Sequence, residues 1–486
     1  MKKYISLFLV FILMLSLCAC GGGKETAVFK AGYSAVDISP QELGVPMNGG
    51  ANSNERLSTG FNSYLYSIAV ALQDTEGNTA VLVSLDQCDL PTTQADELRA
   101  WAEETLQIPK ANILISSIHQ HSTPSPNNSM DAGVRYTEYF MKGVKESISN
   151  AVADLSPAEV YINKVTTEAL SFVRHYWAND GSLVTSHTGN KASGLKGYES
   201  ESDKEMRLVK FARAAEDKED IILVNFQGHP HMGMGNGTSN YTNTHSDWPG
   251  VMRDAVTEEL GANCIYFSGA GGNLNSSSEI VKDNVSRDYH DHGERAAEYV
   301  IGAEEGYTKV NTGAIKTKEI TVTYQADHSM DHLLDQANVI NDLRYNVSSE
   351  AAKNALKDYP ELHSIFHATA IVHKSKEGPT RDMTISAISF GDVAITCHPY
   401  EMFDTNGMEL RSGTVGNENY AAEDQLENPY AMTLVASLGN GAHGYIPSQM
   451  GYTNGGYSTD ITKFAPGTGE QIVTDMLKIL NELHGE

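Results

Sequence analysis

The sequence predicts a mixed, multilayer α/β domain in which β-sheets are flanked by helices. Two patterns carry that prediction. Short apolar, β-branched runs of strand length recur at 66–73, 80–85, 112–118, 206–211, 220–226, 263–268, 383–389 and 392–396. Helical periodicity falls at 91–106, 137–155, 249–260, 287–304, 331–343, 401–411 and 468–483. Strand and helix alternate in the first third, whereas 307–324 and 365–396 read as richer in consecutive strands, so neither a pure parallel nor a pure antiparallel pattern holds throughout. At roughly 150 residues per domain, 486 residues would suggest about three domains. Yet no Pro/Gly/Ser-rich hinge, repeat or low-complexity tract divides the chain. The reading is one large domain over 29–486 with insertions at 180–203 and 413–430, and 40% hydrophobic residues supply an ample core.

At the N-terminus, Met1-Lys2-Lys3 precedes an apolar stretch from Tyr4 to Leu17 and then Cys18-Ala19-Cys20. A basic start, a short apolar core and small residues at the cut are the marks of a bacterial lipoprotein signal, with a cysteine as lipid acceptor. Residues 1–19 are therefore expected to be removed and 20–28, with Gly21-Gly22-Gly23, to act as a tether. The mature protein is expected outside the cytoplasm, held to the membrane through a lipidated Cys20. Cys88, Cys264 and Cys397 give no CxxC zinc motif and no disulfide framework, although that compartment permits a pair such as Cys88 with Cys397. Net charge is −27, from 35 Lys and Arg against 62 Asp and Glu, and no basic cluster occurs. Nucleic acid is excluded as a partner on that ground, and the acidity reads as a solvated exterior.

Four apolar stretches end in polar, metal-capable groups. The run at 113–118 leads into His119-Gln120-His121, and because alternate side chains of a strand share a face, both imidazoles are predicted to emerge on one side. Imidazole suits zinc, although the same pair also fits histidines satisfied by hydrogen bonds. The run at 221–226 leads into Gln227-Gly228-His229-Pro230-His231. The run at 393–396 leads into Cys397-His398-Pro399-Tyr400-Glu401, whose glutamate is predicted to open a helix. Leu438-Gly439-Asn440-Gly441 leads to Tyr445 and then Tyr457. Buried strands that deliver polar groups at their carboxyl ends are the general placement of sites in open α/β sheets, so the four ends predict one site.

The stretches Gly32-Tyr33-Ser34-Ala35-Val36-Asp37-Ile38-Ser39-Pro40, Ser84-Leu85-Asp86, Ser116-Ser117-Ile118-His119-Gln120-His121-Ser122, Asn225-Phe226-Gln227-Gly228-His229-Pro230 and Pro399-Tyr400-Glu401 occur in that order. They resemble the catalytic domain of the neutral/alkaline non-lysosomal ceramidases. Gly444-Tyr445-Ile446-Pro447, with Tyr452, Gly455 and Tyr457, continues the resemblance, which runs from 29 to 483. It implies a secreted or membrane-attached zinc amidase that cleaves the N-acyl bond of ceramide to a fatty acid and a sphingoid base. The implied Zn2+ ligands are His119, His229, Glu401 and Tyr445, a set that can hold zinc and leave room for an activated water. His121 would take that water's proton, and Arg174 and Tyr457 would hold the carbonyl oxygen as it becomes anionic. His231 and His398 read as supporting or structural. Apart from the resemblance, His229 before Pro230 also suits a turn, Glu401 a helix N-terminus and Arg174 a surface ion pair, and Tyr445 and Tyr457 are two of 23 tyrosines.

Two departures qualify the implied chemistry. The family carries Gly-Asn-Leu-Ser-Pro or a close variant at a glycine-rich loop, with the serine treated as catalytic, whereas here Gly271-Gly272-Asn273-Leu274 runs into Asn275, with Ser276 next. Asparagine cannot form an alkoxide but its amide can donate to substrate, so Asn275 is expected to orient the substrate while metal-activated water attacks. The family's additional β-sandwich domain is not expected, since the sequence stops at Glu486. The function expected is a zinc-dependent hydrolase of ceramide or a related acyl amide. The alternatives are a zinc esterase or lactonase on smaller substrates and a metal- or ligand-binding lipoprotein without turnover.

Overall fold

The computed structural model describes residues 28–49, 56–185, 194–234, 242–278, 280 and 288–485. The expected signal, Cys20 and all of the tether but its last residue lie outside them. The main sheet contains β1 (Lys30–Asp37), β2 (Tyr66–Gln73), β3 (Thr79–Leu85), β4 (Ile113–Ser117), β5 (Ser156–Thr166), β6 (Glu205–Arg213), β7 (Ile221–Phe226) and β8 (Asn263–Ser268). Its order is β8-β7-β6-β5-β1-β2-β3-β4, with the short strand Thr308–Lys309 added beside β5. A second sheet, β9 (Ile315–Gln325), β10 (Thr380–Phe390), β11 (Val393–Cys397) and β12 (Met432–Ala436), runs in sequential order.

Side-chain alternation builds the layers. In β2, Val70 and Leu72 face the second sheet and pack in one cluster with Leu82, Leu114, Leu223, Ile388, Ile395 and Leu434. Ala69 and Ala71 face the other way, toward α1 (Thr92–Leu106) and α2 (Asp131–Ala153), where Leu98, Phe140 and Val144 cover them. Both faces being buried explains why the run is continuously apolar rather than alternating. Farther along the sheet, Ile222, Val224 and Tyr266 meet Trp248, Met252 and Val256 of α3 (Asp247–Leu260) and Ala296 and Val300 of α4 (Tyr289–Ile301). On the far side of the second sheet, Ile385, Ala394 and Val435 meet Ile472, Met476 and Leu480 of α9 (Thr468–Gly485). Helices, nine strands, four strands and a helix therefore stack in four layers, the mixed multilayer α/β fold predicted. Each fully buried Leu or Val contributes about 1.5–3 kcal/mol.

A lobe stands apart from these layers. It includes α5 (Leu334–Asp342) and α6 (Ile365–Lys374), whose Ala337, Ile340, Ala368, Ile371 and Val372 form a core of their own with Leu333 and Leu362. The expectation of strands from 365 is corrected here: Ser364 caps α6 by accepting from the His367 amide at 2.9 Å, and the apolar residues fall on one helical face. The helix predicted at 401–411 begins later, as α7 (Asp404–Ser412). Glu401 does not open it. Glu401 and Met402 form a two-residue strand, parallel to Tyr445–Ile446, with Glu401 opposite Tyr445. Cys88, Cys264 and Cys397 are buried and free, so no pair among them is joined. Among the described residues no helix is long and apolar enough to cross a membrane.

β3/β4, β7/β8 and β11/β12 are the parallel pairs of the two sheets. Asn225 ties β7/β8 to β12, donating to the carbonyls of Phe267 at 3.0 Å and Val435 at 2.9 Å and accepting from the Val435 amide at 3.0 Å. Asn440, with φ of 55°, clips the following loop to β4 through its side chain and amide, at 3.0 and 2.7 Å from Ile115.

Candidate metal centre and active site

Beyond Ser117 the chain leaves the sheet. The amides of His119 and Gln120 both donate to the Gln87 carbonyl, at 3.0 and 3.3 Å, and His119 takes a left-handed backbone with φ of 65°. The expected strand alternation is therefore not what pairs the two histidines; a turn brings the rings of His119 and His121 to a centroid separation of 4.8 Å. A non-glycine residue at positive φ is held only where its surroundings over-determine it. Here Gln120 does so. Its buried side chain donates to the His245 carbonyl and accepts from the Ser122 amide.

His119 Nδ1 lies 2.9 Å from the Cys88 carbonyl oxygen, which can only accept, so Nδ1 carries the proton and Nε2 presents a lone pair. That lone pair faces Glu401 Oε2 at 3.1 Å and His121 Nε2 at 3.3 Å, and His121 Nε2 is 3.0 Å from His229 Nε2. One ligand atom each from His119, His229 and Glu401 lies within 4.8 Å of the others. Nitrogens and a carboxylate turned toward one point repel unless a proton or a cation sits between them, so the donor set fits a metal of the kind that takes imidazole and carboxylate. The unequal titration of the rings has the same origin. Burial alone would lower His119, but Glu401 and Cys88 outweigh it and hold it well above its ordinary value. Burial, then His231, His119 and His121, push His229 well below.

Tyr445 enters opposite Glu401. Its buried ring meets the Tyr457 ring edge-on at 6.1 Å, and the Arg174 guanidinium lies 5.2 Å from the Tyr445 centroid and 5.8 Å from that of Tyr457. Arg174 is buried and donates to the Gly272 carbonyl and Ser458 Oγ, each at 2.6 Å. Burial would lower it, yet Tyr445 and Glu401 keep it charged. Gly272 must be glycine because a Cβ there would stand 2.5 Å from the Glu401 carbonyl oxygen. Tyr457 opens α8 (Tyr457–Ile461), the short helix that also carries Ser458.

Residues 29–248 match the family model described as neutral/alkaline non-lysosomal ceramidase, N-terminal. That match takes in somewhat less than half of the chain. The chain is 27% identical over 222 residues to neutral ceramidase 2 of Arabidopsis thaliana, a stretch that covers 42% of this chain and 26% of that protein. Over 216 residues it is 26% identical to a neutral ceramidase of Oryza sativa subsp. japonica, with the same 42% and 26% coverage. The match thus spans about a quarter of these relatives' length. The fold is that of neutral ceramidase from Pseudomonas aeruginosa, with a TM-score of 0.68 at 16% identity over 94% of this chain and 75% of that one. A ceramidase complexed with C2 gives 0.67 at 14% identity, over 94% and 76%.

Of the positions that the ceramidase resemblance singles out, the fold brings His119, His121, His229, Glu401, Tyr445, Arg174 and Tyr457 into this one cluster. His231 packs beside it, its ring 4.7 Å from that of His229. His398 is buried away from the cluster, its amide on the Ala436 carbonyl at 3.3 Å. Asn275 is buried in a two-residue strand opposite Phe172, while Asn273, two residues earlier, accepts from the Arg174 amide at 2.9 Å. Ser276 is committed elsewhere: its Oγ donates to the His229 carbonyl at 2.8 Å.

Sequence reading missed two supports. Cys88 supplies the carbonyl that sets the His119 tautomer. Asn273 and Asp404 exchange hydrogen bonds of 2.7 and 2.9 Å that fasten the glycine loop to α7, and burial raises Asp404 to about 6. Asn273 lies in the glycine-rich loop, but its partner lies in a segment with no spacing signal.

Proposed function

We propose that the protein is a zinc-dependent amidohydrolase that cleaves the N-acyl amide bond of ceramide or a related acyl amide. The observation that carries this reading is the convergence of three imidazole Nε2 atoms and the Glu401 carboxylate at strand ends of a chain whose residues 29–248 match the ceramidase family model. Zinc held by His119, His229, Glu401 and Tyr445 would supply Lewis acidity and an acidified water. His121 Nε2, at the edge of that donor set, takes a proton and returns it to the leaving amine. Arg174 and Tyr457 donate to the amide oxygen as charge develops on it, and Arg174 is held for this by Gly272 and Ser458. Asn275 orients the substrate through its amide, and Ser276 keeps the His229 backbone in place without attacking. In this reading the mature chain is a lipoprotein that works outside the cytoplasm, attached to the membrane at Cys20. Cys20→Ala would then release it from membranes and remove the lipid mass.

The test is hydrolysis of a fluorescent N-acylsphingosine by the purified protein, expected to vanish on chelation and return with Zn2+. Asn275 at the family's serine position favours one second reading, an esterase or lactonase. Turnover of a matched ester with none of the amide would select it. Zinc binding without turnover of either would leave a metal-binding lipoprotein.

A further inference from the structure

Outside the cluster just described, one other group of metal-capable side chains lies among the described residues. His363, two residues before α6, His367 within it, and Asp460 of α8 each place one ligand atom within 4.8 Å of the others. His363 Nε2 is 3.0 Å from Asp460 Oδ1, and the two imidazoles stack at 3.9 Å with their planes 15° apart. His367 is only 2% exposed, and its Nδ1 is buried without a hydrogen-bond partner among the described residues. A buried ring nitrogen without a partner costs about 1–3 kcal/mol. A cation removes that cost and separates two stacked rings from one carboxylate.

We propose that His363, His367 and Asp460 form a second transition-metal site, taking Zn2+ or a similar divalent ion, that clasps the helical lobe to α8. Two imidazoles and one carboxylate are the ligand types such ions prefer, and three protein ligands leave a position for water. His363 is 56% exposed, which gives the ion a path from solvent and lets the ring adjust to close the coordination. The consequence reaches the first cluster. Asp460 sits on the same five-residue helix as Tyr457, and Phe366, next to His367, meets the Tyr457 ring edge-on at 6.2 Å. An ion here fixes both contacts and so the position of Tyr457. The site does not depend on the proposed hydrolase reading.

Zn2+ titration by calorimetry of metal-depleted His119→Ala protein tests it, because that background disables the strand-end cluster. The same protein with His363→Ala or Asp460→Asn added is the comparison; one replaced side chain is largely exposed and the other change is nearly isosteric, so both fold. His119→Ala should bind Zn2+, and either second substitution should weaken that binding by more than about tenfold, the least a ligand-shell change costs. Amide exchange of 457–461 should slow when Zn2+ is added to His119→Ala and not to the double variants. Equal Zn2+ affinity with and without the second substitutions overturns the site, as does an absence of binding in all three. Binding that leaves exchange at 457–461 unchanged overturns the clasp. Failure of the hydrolase reading shows separately, as equal zinc content in the parent and His119→Ala proteins.

Discussion

The strand-end cluster and the lobe cluster use the same residue types on backbones of different kinds. At the strand ends, His119, His229, Glu401 and Tyr445 come from four distant stretches, each fixed by sheet pairing or by amides on buried carbonyls. In the lobe, His363 and His367 share one stretch, Asp460 comes from a short helix, and the supporting core is small. Geometry at the strand ends is set by the fold before any ligand arrives. Geometry in the lobe depends on α6 staying docked against α8. Substitutions in the first should therefore be read in chemistry, and those in the second in order and stability.

The largest effect that would break this comparison is at His119. His119→Ala should lower zinc content to background and abolish amide hydrolysis while thermal unfolding of the main layers stays cooperative, whereas His231→Ala, outside the donor set, should keep its zinc. Metal analysis of the two purified variants decides it. If His119→Ala stays loaded, the strand ends are not the ligand scaffold.

Next in size is His121, which shares the cluster but is assigned to proton movement. His121→Ala should retain zinc and lose about 10²–10⁴-fold in kcat, the usual share of a general base. A variant that loses metal in parallel with activity would make His121 a ligand and fold it into the same role as His119.

What the sequence discloses follows the same division. Strands buried on both faces are legible as continuous apolar runs, so β2, β3, β4, β7, β8 and β11 lie within a residue or two of where periodicity puts them. The polar residues after them are legible too, because a strand end is a fixed exit. Glu401 reads in the sequence as the start of a helix because its pairing with Tyr445 is long-range and leaves no local mark. Residues 365–374 read as a strand since Ile365, Phe366, Ile371 and Val372 favour one, and only the Ser364 cap and the lobe's packing make them helical. The spacing of His363 and His367 is visible in the sequence, but Asp460 is brought to them by tertiary docking alone.

A third prediction concerns the lobe. Asp327 and Lys374 form a pair at 2.7 Å with both side chains buried. Burial pushes the Asp327 carboxyl up, but Lys374 and Ser329 outweigh it and hold it below its ordinary value. The group is thus depressed in the folded state. Its stabilisation is fully present above the unfolded carboxylate value of about 3.9 and is lost as pH falls through the lower folded value. Lys374→Met strands the carboxylate and should cost about 3–5 kcal/mol at neutral pH. The gap from the parent should narrow in acid, where the stranded carboxyl takes a proton. Urea midpoints at pH 7 and pH 4 measure this, and a pH-independent gap would mean that packing rather than charge holds the lobe.

The smallest effect returns to the strand ends and separates scaffold from nucleophile. Ser276 Oγ donates to the His229 carbonyl, so Ser276→Ala removes one buried hydrogen bond, worth about 0.5–1.5 kcal/mol. Backbone pairing elsewhere should keep His229 in place, which limits the loss of turnover to less than about tenfold and leaves zinc content unchanged. No acyl-enzyme should form at either position, because a hydroxyl turned to a carbonyl is not free to attack and Asn275 has no hydroxyl. Asn275→Ser should shift preference toward ceramide over shorter acyl amides without altering metal content. An acyl group found on Ser276 by intact-mass measurement, together with an inactive Ser276→Ala, would replace activated water by serine as the nucleophile. It would also mean that the strand-end backbone supplies chemistry through a side chain that its ground-state hydrogen bond conceals.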